Sequence, residues 1–136
     1  MKSAKEVIEV LKKEGMRITE PTKAIVDIIF DRKDSWHPRA EDILHALAKK
    51  KKRISQATVY NVLNKLYAVK MLQEVTLEKG QRYFDTNLDV HYHLYHEKSE
   101  KLEDIQCDLI DINGVEKIVK MENVKKIDII IHIDDK

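Results

Sequence analysis

Ile54-Ser55-Gln56-Ala57-Thr58-Val59-Tyr60-Asn61-Val62-Leu63-Asn64-Lys65-Leu66 is the stretch on which the fold turns. Ser55 stands just ahead of the first apolar position, where a hydroxyl can cap a helix by accepting from a free backbone N–H. Val59, Val62, Leu63 and Leu66 then recur at spacings of three and four, which puts them on one inward face. That register leaves Gln56, Thr58, Tyr60, Asn61, Asn64 and Lys65 largely outward, a surface of amides and hydroxyls with little charge.

What flanks this helix gives it a context. Leu72–Leu77 and Gln81–Asp85 read as two short strands joined by Glu78-Lys79-Gly80, a turn-forming triplet. Upstream, Ser3 can cap a helix with Val7, Ile8 and Leu11 inward that ends at Gly15. Thr19 can cap a second, with Pro21 in its first turn and Ile25, Ile28 and Ile29 inward. Trp36-His37-Pro38 is extended because proline disfavours a helical residue before it. Ala40, Ile43, Leu44 and Leu47 then line a third helix that runs into the basic stretch Lys49–Arg53. Helix, short turn, capped helix and hairpin make a winged helix-turn-helix over residues 1–85. Such a module places its second helix in the major groove, where Gln56, Tyr60, Asn61 and Asn64 suit base edges. The alternative for the same pattern is a helical packing domain whose polar face is simply wet.

At 136 residues the chain is one ordinary domain or two small ones, and 36% charged residues with three Gly and two Pro describe a helix-rich globular protein. No apolar run reaches the roughly 20 residues of a membrane span, and the N-terminus leads into no signal-like stretch, so the expectation is a cytoplasmic protein without a membrane partner. The single cysteine, Cys107, rules out an intramolecular disulfide and a Cys-rich zinc site within one chain. The net charge of +1 hides an asymmetry. Residues 1–85 carry 18 Lys and Arg against 12 Asp and Glu, whereas residues 86–136 carry 7 against 12. A basic part joined to an acidic part suggests a polyanion for the first and another task for the second.

Residues 86–136 read as strand, turn, strand, helix, strand. His91–His96 and Leu102–Cys107 are the first two strands, Asn113-Gly114 opens a helix with Val115, Ile118 and Val119 on one side, and Ile127, Ile129, Ile131 and Ile133 alternate as the last strand. The expected class is α+β, a winged helix-turn-helix domain followed by a small α/β dimerisation domain. So small a sheet is marginal alone, and a homodimer would cover its apolar edge and present two recognition helices to two half-sites. His91 and His93, two apart on a strand, project from one face, the spacing a metal wants from an extended segment. Asp104 lies on the next strand and Asp85 six residues before His91. With His37 folded over from the first part, three His and two Asp become available.

Trp36-His37-Pro38 with Ala40-Glu41-Asp42-Ile43, Ile54-Ser55 through Ala57-Thr58-Val59-Tyr60 with Leu63-Asn64, Arg82-Tyr83-Phe84-Asp85 and His91-Tyr92-His93-Leu94 resemble, in this order, the ferric uptake regulator superfamily of metal-dependent repressors. The resemblance implies a DNA-binding domain, a dimerisation domain, and between them a regulatory metal held by His37, Asp85, His91, His93 and Asp104. An Asp at the position of Asp104 resembles the peroxide-sensing regulators, in which bound Fe²⁺ reacts with hydrogen peroxide and a ligand imidazole, here His37 or His91, is oxidised. A Glu there is typical of the iron-uptake regulators. Fe²⁺ or Mn²⁺ suits the nitrogen and oxygen donors, and Zn²⁺ could bind them in vitro. His96 and Ser99 stand where many relatives carry a cysteine pair, so no structural zinc is expected. Val90 and Tyr92 stand where a second regulatory site would draw ligands, which leaves His132 a bystander. Asn61 replaces a basic residue common after the recognition-helix Tyr, and Thr22 an Arg common early in the second helix. The competing functions are a sensor of iron, manganese or zinc supply with no ligand oxidation and, from another class, a small non-haem iron enzyme.

Overall fold

Four helices and a hairpin build the first part of the chain in the computed structural model, which describes residues 2–134. Helix α1 spans Ala4–Lys13, α2 Glu20–Phe30, α3 Ala40–Lys49 and α4 Gln56–Ala68; strands β1 (Gln73–Thr76) and β2 (Arg82–Asp85) follow. The caps are those the hydroxyls offer. Ser3 and Glu6 form a reciprocal capping box at 3.2 Å each way, Thr19 Oγ1 accepts from the Thr22 N–H at 3.3 Å, and Ser55 Oγ accepts from the Thr58 N–H at 3.1 Å. At the start of α3, the Asp42 carboxylate takes the Arg39 N–H at 2.9 Å instead.

Val7 and Leu11 of α1, Ile25 and Ile29 of α2, Ile43 and Leu47 of α3, and Val59, Val62, Leu63 and Leu66 of α4 are buried together, with Phe84 of β2 closing the cluster. Each side chain comes from the apolar face that the spacing dictates, so one core fixes all four helices. Strands β1 and β2 pair antiparallel, from Gln73 opposite Asp85 to Thr76 opposite Arg82. Gly80 turns between them at φ +89°, a conformation that suits glycine.

The chain divides after Leu88 into two compact units. Residues 86–88 belong with the first because Thr86 is hydrogen-bonded to Trp36 and the Leu88 carbonyl accepts from Gln73. The second unit is a three-stranded sheet ordered β4-β3-β5, with β3 at His91–His96, β4 at Lys101–Gln106 and β5 at Ile130–Ile133. β3 pairs antiparallel with β4, setting His93 opposite Asp104, and parallel with β5, setting His93 opposite Ile130.

Two expectations are corrected here. Among the described residues no α-helix follows Asn113; the segment forms a 3-10 turn at Asn113–Lys117, and Ile118 is 84% exposed. The apolar spacing is present, but nothing in this unit packs against it, and most helical stability comes from such packing. The isoleucine strand is also shorter than its alternation suggested: it spans Ile130–Ile133, with the Ile129 carbonyl just ahead of it accepting from the His93 N–H at 3.0 Å. The unit buries Tyr92, Tyr95 and Leu102 but leaves Leu109, Ile118, Val119, Met121 and Ile131 exposed. Among the described residues no helix is long and apolar enough to cross a membrane.

Candidate functional site

In the second unit the register of β3 and β4 brings three ligand types together. His91 and His93, two apart, share a face of β3, and Asp104 sits opposite His93 on the same face. Asp104 Oδ1 is 3.5 Å from His91 Nε2 and 3.6 Å from His93 Nε2, and the two rings meet edge to face with centroids 4.6 Å apart. These separations are longer than a good N–H···O hydrogen bond. They are close to the roughly 3.0–3.4 Å between donors that share a cation at about 2.1 Å. Both histidines are largely buried, with side chains 6% and 9% exposed.

One backbone contact settles which nitrogen of His91 is offered. His91 Nδ1 lies 2.6 Å from the Asp89 carbonyl oxygen, which can only accept, so Nδ1 carries a proton, and in the neutral ring Nε2, on the side of Asp104, is the nitrogen with the lone pair. A ring nitrogen held in this way is the usual partner of a metal-binding imidazole.

His37 and Asp85 lie in the first unit. The Phe84 N–H donates to the Pro38 carbonyl at 2.8 Å and the Thr86 N–H to the Trp36 carbonyl at 2.9 Å, while the Trp36 N–H donates to Thr86 Oγ1 at 2.9 Å. These bonds run residues 36–38 alongside residues 84–86, which sets the His37 backbone across from that of Asp85. Asp85 is fully buried and accepts from the Asn87 N–H at 2.9 Å. A carboxylate this deep requires donors or a cation to offset its desolvation. Thr86, the residue that pins the His37 segment, carried no signal in the sequence, because its partner is 50 positions away.

The other histidines are engaged elsewhere. His96 Nε2 is 2.9 Å from Glu103 Oε1, a hydrogen bond that holds the Glu103 carboxyl below its usual range, and His132 Nδ1 is 2.8 Å from Glu97 Oε1. Cys107 is exposed. Among the described residues, the one grouping of three or more His, Cys, Asp or Glu side chains with ligand atoms within 4.8 Å of one another contains His91, His93 and Asp104.

The outward face of α4 holds the residues matched to base edges. Gln56, Asn61 and Asn64 are exposed, Thr58 and Tyr60 are half-buried, and the Ser55 hydroxyl is occupied by its cap and by Thr58 Oγ1 at 2.9 Å. Arg82 of β2 also reaches this face, a contact that no local pattern encodes. Its guanidinium is anchored by Glu74 at 2.5 Å, lies 5.9 Å from the Tyr60 ring centroid and donates to Asn64 Oδ1 at 3.3 Å. Arginine only donates, so this bond fixes which end of the Asn64 amide is oxygen and leaves the NH₂ as the end offered outward.

Comparison with known proteins agrees with this geometry. The family model described as the ferric uptake regulator family matches residues 13–134. The chain is 35% identical over 106 residues to the peroxide-responsive repressor PerR of Staphylococcus epidermidis, covering 78% of this chain and 69% of that protein. It is 31% identical over 115 residues to PerR of Staphylococcus aureus, covering 85% and 75%. The fold matches the ferric uptake regulator of Vibrio cholerae with a TM-score of 0.77 at 22% identity, over 91% of this chain and 95% of that one. With its helices, hairpin, histidine strand and ladder in this order, the chain belongs to the ferric uptake regulator family.

Proposed function

We propose that the protein is a homodimeric, metal-dependent transcriptional repressor that senses hydrogen peroxide by oxidation of a histidine ligand. Family membership sets the class, a DNA-binding regulator and not an enzyme, which removes the non-haem oxygenase alternative. The observation that carries the finer reading is the convergence of His91 Nε2, His93 Nε2 and Asp104 Oδ1 on one face of the sheet. Two imidazoles and a carboxylate suit Fe²⁺, Mn²⁺ or Zn²⁺. His37 and Asp85, held opposite each other by the Trp36 and Pro38 bonds, complete a set of five. A cation that prefers the five-ligand arrangement shifts the population toward the DNA-competent form, and its loss reverses the shift.

The peroxide reading is supported by the repressors named above, both called peroxide-responsive, and by Asp rather than Glu at position 104. These residues would hold Fe²⁺, which would supply the redox chemistry for cleaving peroxide, or Mn²⁺, which would fill the same donors without that chemistry. One imidazole, that of His37 or His91, would take up one oxygen atom of the peroxide, the other leaving as water, and the oxidised ring would no longer serve as the same donor. The iron, manganese or zinc supply sensor uses the same architecture and remains the second reading. No structural zinc belongs in this account, since His96 is committed to Glu103 and Ser99 is no thiolate. The exposed Leu109, Ile118, Val119, Met121 and Ile131 of the second unit supply the apolar surface that a second copy would cover.

The class is tested by selecting duplexes from a random pool with Mn²⁺-loaded protein and measuring affinity by fluorescence anisotropy. Tight binding with Mn²⁺, lost on chelation while the protein stays folded and dimeric, is expected. Equal affinity with and without metal would refute it.

A further inference from the structure

We propose that the turn Lys49–Arg53 is the principal DNA-phosphate-binding surface of this protein, so that the recognition helix α4 is held on the duplex chiefly by the turn that precedes it. The proposal deepens the DNA-binding reading and rests on it.

Charge is the first argument. Residues 1–88 carry a net +6, and the five consecutive cations Lys49, Lys50, Lys51, Lys52 and Arg53 account for five of those charges. The basic character of the first unit is therefore largely the property of one turn. The other cations of this unit are scattered along the chain among its 12 acidic residues, and three of them are paired: Lys12 with Glu9, Arg39 with Glu41 and Asp42, Arg82 with Glu74. All five residues of the turn are exposed, and no ion pair to any of them is found among the described residues. Five like charges in a row repel one another, so a surface that keeps them unneutralised is arranged for an external polyanion.

The backbone is the second argument. The Lys52 N–H returns to the Leu47 carbonyl at 3.0 Å and the Lys51 N–H to the Ala48 carbonyl at 2.9 Å, with Lys51 at φ +58°. These paired bonds are a Schellman ending, which stops α3 abruptly and reverses the chain. A lysine in place of the usual glycine carries a conformational cost there. The reversal delivers Arg53 within two residues of the Ser55 cap, at the end of α4 that enters a groove first. Lys51, Lys52 and Arg53 line one open groove with Ser55. Spacing of this kind fits the sugar-phosphate backbone bordering the groove, where contacts position a protein without reading sequence.

The experiment uses full-length Mn²⁺-loaded protein and two probes, a selected operator duplex and a random duplex, over a range of salt concentrations. The variant carries Lys49→Gln, Lys50→Gln, Lys51→Asn, Lys52→Gln and Arg53→Gln, with Asn at position 51 because it tolerates the left-handed backbone. Each phosphate contact contributes about 0.9 to the slope of log affinity against log salt, so the slope should become shallower by about 2–4 per protomer. Affinity for both probes should fall by the same factor, leaving their ratio unchanged. Tyr60→Ala, measured in parallel, should lower the ratio and leave the slope alone. A pair variant, Lys50→Gln with Lys52→Gln, should lose about 1–2 of slope and covers the case in which the fivefold variant folds poorly. A wild-type slope in either folded variant, while Tyr60→Ala still lowers the ratio, overturns the turn proposal alone. If the wild-type protein binds neither duplex, the DNA-binding reading fails and takes this one with it.

Discussion

Replacing Thr86 by Val tests the structural link between His37 and Asp85 without touching either. The Thr86 hydroxyl accepts the Trp36 N–H at 2.9 Å, and Thr86 itself is 3% exposed. Valine keeps the volume and removes the acceptor, so the Trp36 N–H loses its partner. A fully buried donor left unpaired costs about 1–3 kcal/mol. Trp36 is only half-buried, so water can recover part of this, and we expect about 1–2 kcal/mol. For a unit of 88 residues that corresponds to a fall in Tm of about 4–16 °C for metal-free protein. The Thr86 N–H bond to the Trp36 carbonyl survives, so the segment loosens without detaching. His37 should then sit less accurately, and loss of a supporting contact of this type lowers metal affinity about 10–100-fold. Differential scanning calorimetry on the metal-free protein and competitive Mn²⁺ titration read the two effects separately, and Thr86→Ser should restore both. A valine variant that melts and binds Mn²⁺ like the wild type would refute the bracket as the device that positions His37.

Other changes have equally definite expectations. Leu63→Ala, at a fully buried position of α4, should destabilise the protein by about 2–5 kcal/mol in urea unfolding, whereas a change at the exposed Asn61 should leave stability within about 0.5 kcal/mol. Tyr60→Ala and Asn64→Ala should each reduce operator discrimination by about 1–3 kcal/mol in competition binding, with little change in thermal stability for the exposed Asn64. Chelation should leave the far-ultraviolet circular dichroism unchanged, because the core of the first unit is apolar side chains throughout.

The fold was legible where one face of an element is buried by the chain itself. Val59, Val62, Leu63 and Leu66 announce α4 because the helical period and the burial requirement select the same four residues. The triad was legible for a similar reason, since a two-residue spacing on a strand dictates a shared face and the β3–β4 turn brings Asp104 opposite His93. The expected helix near Val115 did not form: the apolar spacing is there, yet Ile118 is left 84% exposed, so no burial supports the helical face. Arg82 and Thr86 were invisible for another reason. Their roles come from contacts 18 and 50 residues away, which no local pattern encodes.

A ligand histidine, and not the lone thiol, is the proposed target of peroxide. The most direct measurement is peptide mass spectrometry on Fe²⁺-loaded and Mn²⁺-loaded protein after stoichiometric hydrogen peroxide, with operator release followed in the same samples. One added oxygen on the peptide carrying His37 or His91 is expected in the iron form and not in the manganese form. DNA release should track it, and Cys107→Ser should behave like the wild type although Cys107 is exposed. Unmodified peptides with the operator still bound, or release that requires Cys107, would contradict peroxide sensing at this site and leave the metal-supply sensor in its place.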